Sequence, residues 1–355
     1  MKKIGVLFGM ENSFPGALVE HINARHIAGI HAEFVQTGAV HLDKPADYAV
    51  LIDRISHDIP FYRAFLKHAA LNGAVIINNP FWWSADDKFF NYTLAAKLGV
   101  AVPPTVLLPH KKHPDGTTDR SMRNLEYPLN WDAVFAYVGE HGFLKPVNGG
   151  GWRDVYHVHN RDEFFDAYNQ SHQLCMMYQK AVEFTDYFRC YVVGQSKVHV
   201  MPYDPRRPHH ERYIQNPPAY NKKLLARVEA DALTLCRALG YDLNTVEFAV
   251  ENGIPYAIDF MNPAPDADLH SVGQANFEWI VREVADLAIA KASAGSKQLG
   301  ELRWSTFLTG GQPVVAKPAV AKAPAPRKNK PAKSESAKPK PLKSRSAKSD
   351  KPKPK

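Results

Sequence analysis

Cysteine is scarce in this 355-residue chain: Cys175, Cys190 and Cys236 are an odd number with no Cys-x-x-Cys pair. That argues against a disulfide framework and against a cysteine zinc site, leaving reduced, buried thiols in a cytoplasmic protein as the expectation. Long apolar runs are missing as well, so no segment reads as a membrane span. Met1-Lys2-Lys3 followed by IGVLFGM imitates a secretion signal. The run meets Glu11 and Asn12 after seven residues, however, and no small-residue cleavage site follows, so it reads as a first strand. Also lacking are a GK[ST] phosphate loop, a GxGxxG fingerprint and any persuasive Ser-His-Asp or Cys-His arrangement.

Charge is present but unevenly spread. The chain carries 44 Lys/Arg against 36 Asp/Glu, a net +8. Residues 313–355 alone hold fourteen basic residues and two acids, which leaves the rest at about −4. This Lys/Pro/Ala-rich segment has almost no large apolar residues with which to offset its ordering entropy, and a disordered tail is expected. It is either simply solvated or a weak contact for a polyanion. The body, with hydrophobic residues at 45% of the chain, is long enough for two or three units around a substantial core.

From Met1 to Pro80, short β-branched runs (KIGVLFG, HAEFVQTG, YAVLID, GAVIINN) alternate with helical stretches at 14–28 and 60–71. That pattern predicts a layered α/β lobe over 1–83 with a largely parallel sheet. Ser84 and Asp87 offer capping oxygens for a helix that Gly99 stops. A helix then runs to Gly142, and further helices are expected at 162–170, 221–239 and 277–294. Between them lie strand candidates FLKPV, VYHVH, LCMMYQKAV, FRCYVVGQSKVHVMPY and NTVEFAVENGIPYAIDFMN, the last folded into a hairpin at Asn252-Gly253.

Two stretches carry chemistry. In FLKPVNGGGWRDV, Lys145 precedes Gly149, Gly150 and Gly151; bare glycines let backbone N–H groups approach an anion, although a plain hairpin loop has the same sequence. On the arms of the Asn252-Gly253 hairpin, Glu247 and Asp259 are set to face each other. Hard oxygen ligands of that kind suit Mg²⁺ with substrate phosphates, and a solvated acidic pair is the plainer alternative.

Taken in order, SADDKFFNYTLAAKLGVAVPPT, FLKPVNGGGWRDV, MYQKAVEFTDYFRCYVVG and VEFAVENGIPYAIDFMNP, behind the α/β lobe, resemble the ATP-grasp superfamily from Met1 to about Trp304. Within it, the similarity is to ATP-dependent carboxylate-amine ligases of the glutathione synthetase and ribosomal-protein glutamate ligase type. The fold class this implies is α/β and α+β. A pre-ATP-grasp lobe (1–83) would precede a small lobe with the glycine loop (84–174) and a large lobe with the metal hairpin (175–312), before the tail (313–355).

The resemblance also implies roles. Lys88 and Lys145 would face the ATP phosphates under the glycine loop. Gln179, Lys180, Ala181 and Val182 would hold adenine through backbone groups, and Asp186 the ribose. Glu247, Asp259 and Asn262 would bind two Mg²⁺ ions, and Arg189 would face phosphate or the acyl substrate. A small-molecule or peptide carboxylate would be activated as an acylphosphate and joined to an amine. A phosphotransferase or carboxylating enzyme of the same fold, or a degenerate nucleotide-binding protein, are the alternatives.

The chain departs from the family's pattern in two places. Asp259-Phe260-Met261-Asn262 has one residue more than the usual Glu-x-Asn, so that a bulge would be needed to return Asn262 to the metal, or Asp266 or Asp268 would replace it. Trp152 and Asp154 stand where relatives commonly carry glycine. Elsewhere, Arg206, Arg207, His209, His210 and Arg212 form a polar loop, open to substrate contact or plain solvation. His157 and His159 share a strand face but lack a third ligand nearby and read as structural. Phe81-Trp82-Trp83 reads as packing between lobes.

Overall fold

The computed structural model describes residues 1–81, 87–260 and 262–295. The expected tail, Trp82, Trp83, Ser84, Met261 and the end of the large lobe lie outside the described residues.

The first lobe follows its sequence pattern. Strands β1 (Lys2–Leu7), β2 (Ile30–Phe34), β3 (Val50–Asp53) and β4 (Val75–Ile77) form a parallel sheet in the order β2-β1-β3-β4. Helix α1 (Phe14–Asn23) and helix α2 (Pro60–Leu71) connect them, each starting on a proline-preset first turn. The expected 14–28 helix ends five residues early, because His26 (φ 50°) and Gly29 (φ 77°) take left-handed backbone that a helix cannot continue through.

Helix α3 (Lys88–Lys97) is capped by the Asp87 side chain, which accepts from the Phe89 and Phe90 N–H groups at 2.9 and 3.1 Å. Beyond it, β5 (Thr105–Leu108), helix α4 (Trp131–Val138), β6 (Gly142–Pro146), β7 (Tyr156–Val158), helix α5 (Arg161–Gln170) and β8 (Met176–Lys180) build an antiparallel sheet ordered β5-β8-β6-β7. Its own core gathers Phe135, Leu144, Phe164, Tyr168 and Tyr178. Two expectations change here. The helix expected to reach Gly142 stops at Gly139 (φ 96°), and Gly142 instead opens β6, where a Cβ would lie 2.5 Å from the Gln179 carbonyl. The division expected at 174/175 falls inside this sheet, since β8 pairs with both β5 and β6. A strand buried on both faces carries no sequence mark of which sheet it joins.

The large sheet is antiparallel, ordered β10-β9-β11-β12, from β9 (Asp186–Val193), β10 (Lys197–Pro202), β11 (Leu243–Glu251) and β12 (Ile254–Asp259). Helix α6 (Lys222–Leu239), capped by Asn221 and ended by left-handed Gly240, covers one face together with α3. A short helix α7 (Leu269–Val272) leads to helix α8 (Gln274–Ala294), whose Ile280, Val284, Ala288 and Ala292 recur every four residues and form one buried stripe. That stripe belongs to a core shared by the parallel sheet, α1 and the large sheet, so the first lobe is not an independent unit. The Asp268 carboxylate adds to this junction by accepting from Ser13 N–H and Oγ, both at 2.9 Å, at the start of α1. Burial alone would raise its pKa; the bonds from Ser13, Asn12 and Phe14 outweigh that and hold it below the ordinary value. Cys190 and Cys236 are buried and Cys175 half-buried, all three as free thiols. Among the described residues no helix is long and apolar enough to cross a membrane.

Candidate functional site

A cleft opens between the small sheet and the β11–β12 hairpin, with opposite charge on its two walls. On the first wall, Lys145 extends from β6. Its Nζ donates to Gln179 Oε1 at 2.9 Å and to Tyr92 Oη at 3.1 Å. Burial pulls the ammonium down to about 8, against the opposing attraction of Asp259 and Glu247. Lys88, at the first turn of α3, donates to the Gly149 carbonyl and so hooks the glycine loop from below.

The second wall depends on a bulge. A two-residue turn at Asn252 (φ 53°) and Gly253 (φ 76°) pairs Glu251 with Ile254, and the regular register continues to Phe248 opposite Ala257. Continued without interruption, it would set Ile258 opposite Glu247. Ile258 is instead the extra residue, and Asp259 takes the place across from Glu247. The Ile258 carbonyl accepts the Tyr92 hydroxyl, so the chain of bonds from Lys145 through Tyr92 ends on the residue that positions Asp259.

Glu247 has neighbours on three sides. The Tyr187 hydroxyl donates to its Oε2 at 2.6 Å, Arg189 Nε lies 3.5 Å from Oε1, and Asp259 stands opposite. Burial raises the carboxyl above its ordinary value; Arg189 counters this and Asp259 adds to it. A dication between the two carboxylates would relieve that repulsion, so the donor set fits a hard ion such as Mg²⁺.

The loop closing the cleft has a glycine-type backbone without glycine side chains throughout. Gly149 (φ 90°) and Gly151 (φ 67°) are left-handed, and so are Trp152 (φ 61°) and Asp154 (φ 55°). The two departures noted in the sequence therefore take the left-handed backbone that glycine adopts most readily. Trp152 lines the cleft yet is 62% exposed, which leaves little room for a packing role.

No family model matches the chain, and no curated protein matches it in sequence. Solved structures do. D-alanine–D-alanine ligase from Bacillus anthracis, complexed with ATP, is 14% identical with a TM-score of 0.59, over 83% of this chain and 99% of that one. A RimK domain ATP-grasp protein from Sphaerobacter thermophilus is 15% identical at 0.58, over 80% and 98%. The ATP-grasp ligase PsnB, complexed with minimal precursor, Mg and ADP, is 14% identical at 0.55, over 81% and 97%. The chain has the ATP-grasp fold.

Within this ATP-grasp cleft the expected residues divide. Lys88, Lys145, Gly149, Gly150, Gly151, Gln179, Lys180, Val182, Glu247 and Asp259 line it together. Ala181, Asp186, Arg189 and Asn262 are not among the lining residues. The Ala181 N–H is taken by the His141 carbonyl at 3.2 Å, and the Lys180 N–H by Pro104 at 2.9 Å. The Gln179 side chain serves Lys145, its amide donating onward to Thr105 Oγ1 at 2.9 Å. Asp186, at the start of β9, accepts from Thr185 Oγ1 at 3.0 Å. Arg189 stands behind Glu247 on the neighbouring strand, with Nη1 donating to Tyr213 Oη at 3.0 Å, rather than in the cleft.

The bulge considered for Asn262 sits earlier, at Ile258, and the Asn262 N–H is held by Asn244 Oδ1 at 2.9 Å. Both proposed substitutes lie outside the cleft lining and are engaged elsewhere: Asp268 at the start of α1, and Asp266 as acceptor from Ser271 Oγ and from the Asp268 N–H. In the polar loop, Arg206 and Arg207 turn back to Asp204. Sequence reasoning missed Tyr92 and Tyr187, whose spacing on α3 and β9 is indistinguishable from core packing. It also missed His141, although pairing the FLKPV and VYHVH strands would have set it opposite His159.

Proposed function

We propose that the chain is an ATP-dependent ligase that activates a carboxylate as an acylphosphate and joins it to an amine, with amino acids or peptides as the substrate class. One observation carries the reading: two lysines and a glycine loop face a paired Glu247 and Asp259 across one cleft of an ATP-grasp fold. The substrate carboxylate oxygen attacks the γ-phosphorus of ATP, the bond to the bridging oxygen breaks and ADP departs. The amine nitrogen then attacks the acyl carbon and inorganic phosphate leaves.

No side-chain nucleophile is required, and the residues act by position and charge. Lys145, fixed by Tyr92 and Gln179, neutralises charge on the transferred phosphoryl group. Lys88 holds the loop and offers a second cation. Of segment 179–182, Gln179, Lys180 and Val182 line the cleft and would take the adenine there, and Trp152 would cover the loop side against water. Glu247 and Asp259 would hold Mg²⁺, which supplies further neutralisation of the phosphates when bound. Arg189 and Tyr187 are positioning residues for Glu247.

Incubating the chain with ATP, hydroxylamine and a panel of amino acids and short peptides tests the reading. An acid-dependent hydroxamate formed with ADP is expected. ATP turnover giving a stable phosphorylated product without hydroxamate would assign it to a phosphotransferase instead.

A further inference from the structure

On the outer strand pair of the small sheet, outside the cleft lining but adjoining it through Phe143, three imidazoles converge. His141 precedes β6, His157 lies in β7 and His159 follows it; the register Gly142 with Val158 and Phe143 with His157 brings His141 across from His159. One ring nitrogen of each lies within 4.8 Å of the other two, and the His141 and His157 Nε2 atoms are 2.7 Å apart. His157 is stacked on Phe143 at 4.3 Å, and His141 on His159 at 5.1 Å.

Two of the three imidazoles, His159 and His141, have their Nδ1 tied to a carboxylate. His159 Nδ1 is 2.9 Å from Glu163 Oε2, and Glu163 is itself held by the His159 N–H at 2.9 Å and by Asn160 Nδ2 at 2.8 Å. His141 Nδ1 is 3.2 Å from Glu183 Oε1. A carboxylate on Nδ1 fixes the proton there and leaves Nε2 as the lone-pair nitrogen, the arrangement that orients imidazole ligands around a metal.

We propose that His141, His157 and His159 form a binding site for a divalent transition-metal ion of the zinc type, with a fourth position open to solvent. Imidazole nitrogens select such ions over Mg²⁺ or Ca²⁺, which prefer oxygen. Tetrahedral ligation at roughly 2.0–2.1 Å needs nitrogens about 3.3 Å apart; the 2.7 Å Nε2 pair and the 4.8 Å within which all three nitrogens lie bracket that value, so small side-chain adjustments would complete the site. The ion would also brace the segment after β8, because the His141 carbonyl holds the Ala181 N–H and Glu183 holds the His141 ring. Among the described residues this is the one group of three or more His, Cys, Asp or Glu placed to hold a metal ion.

Zn²⁺ titrated calorimetrically into the chelator-treated full chain, in excess Mg²⁺, tests this. One equivalent is expected in the wild type and in a Glu247→Gln/Asp259→Asn chain, which separates this site from the cleft. His157→Ala/His159→Ala should weaken binding by about 100-fold or more, and Glu163→Gln by about 10- to 100-fold. Zn²⁺ should raise the melting temperature of the wild type and not of the histidine variant. Because His159 is exposed, His159→Gln alone serves if the double variant fails to fold. Absence of Zn²⁺ binding by the wild type, binding unchanged in the histidine variants, or binding lost only with Glu247 and Asp259 would each overturn the site.

Discussion

The two walls of the cleft are built by opposite means. The acidic wall is carried on paired strands of the large sheet: Glu247 is gripped by Tyr187 and Arg189, and a single bulge sets Asp259 against it. The basic wall ends in an exposed loop whose left-handed backbone includes Trp152 and Asp154, with Lys88 hooked to it from α3. Under the proposed function, strand-borne carboxylates would suit a fixed metal site, whereas an exposed loop with left-handed residues would suit a cover over the phosphates. Tyr92 is the joint between them, bonded to Lys145 on one side and to Ile258 on the other.

Breaking the acidic wall should have the largest effect. Glu247→Gln with Asp259→Asn is expected to lower kcat by about 10³-fold or more while the far-ultraviolet dichroism is retained. Next is the basic wall, where Lys145→Met should cost about 10²- to 10³-fold in kcat/KM for ATP. The same lysine gives the wild type a pH limit. Its pKa of about 8 lies below the ordinary 10.5, so the cation is lost, and kcat/KM falls, as pH rises through about 8. The sign for stability is opposite: between about pH 8 and 10.5 the unfolded chain binds more protons than the native one, so this group makes the fold more stable as pH rises. Lys145→Met should abolish both trends.

Cutting the joint is milder. Tyr92→Phe removes the bond to the Ile258 carbonyl and one of two acceptors of Lys145, and should cost about 1 kcal/mol in thermal or urea unfolding and about tenfold in kcat. The smallest change sharpens the contrast between walls. Trp152→Gly relieves a left-handed non-glycine residue and should stabilise the fold by about 1 kcal/mol, while ATP hydrolysis without acceptor rises a few-fold. Loss of stability with unchanged hydrolysis would return Trp152 to a packing role.

Much of this was legible in the sequence because it depends on local pattern. Pro60–Leu71 is a helix as its spacing predicts, the Asn252-Gly253 turn forms, and Lys145, the glycines, Glu247 and Asp259 meet in one cleft. What was not legible depends on register and on which surfaces meet. The Ile258 bulge decides which residue faces Glu247, yet it leaves no compositional trace. Asp268 reads as one of two substitutes for Asn262 at the metal until α1, some 255 residues earlier, arrives to be capped by it. His157 and His159 look unaccompanied until β6 pairs with β7 and delivers His141.

Calorimetric titration of ATP with and without Mg²⁺, on the wild type and on the two wall variants, tests the account most directly. It predicts one Mg²⁺-dependent site in the wild type. The Mg²⁺ response should be lost in Glu247→Gln/Asp259→Asn, whereas Lys145→Met should bind more weakly but keep it. A wild type that does not bind ATP, or a Mg²⁺ response that survives removal of both carboxylates, would contradict it.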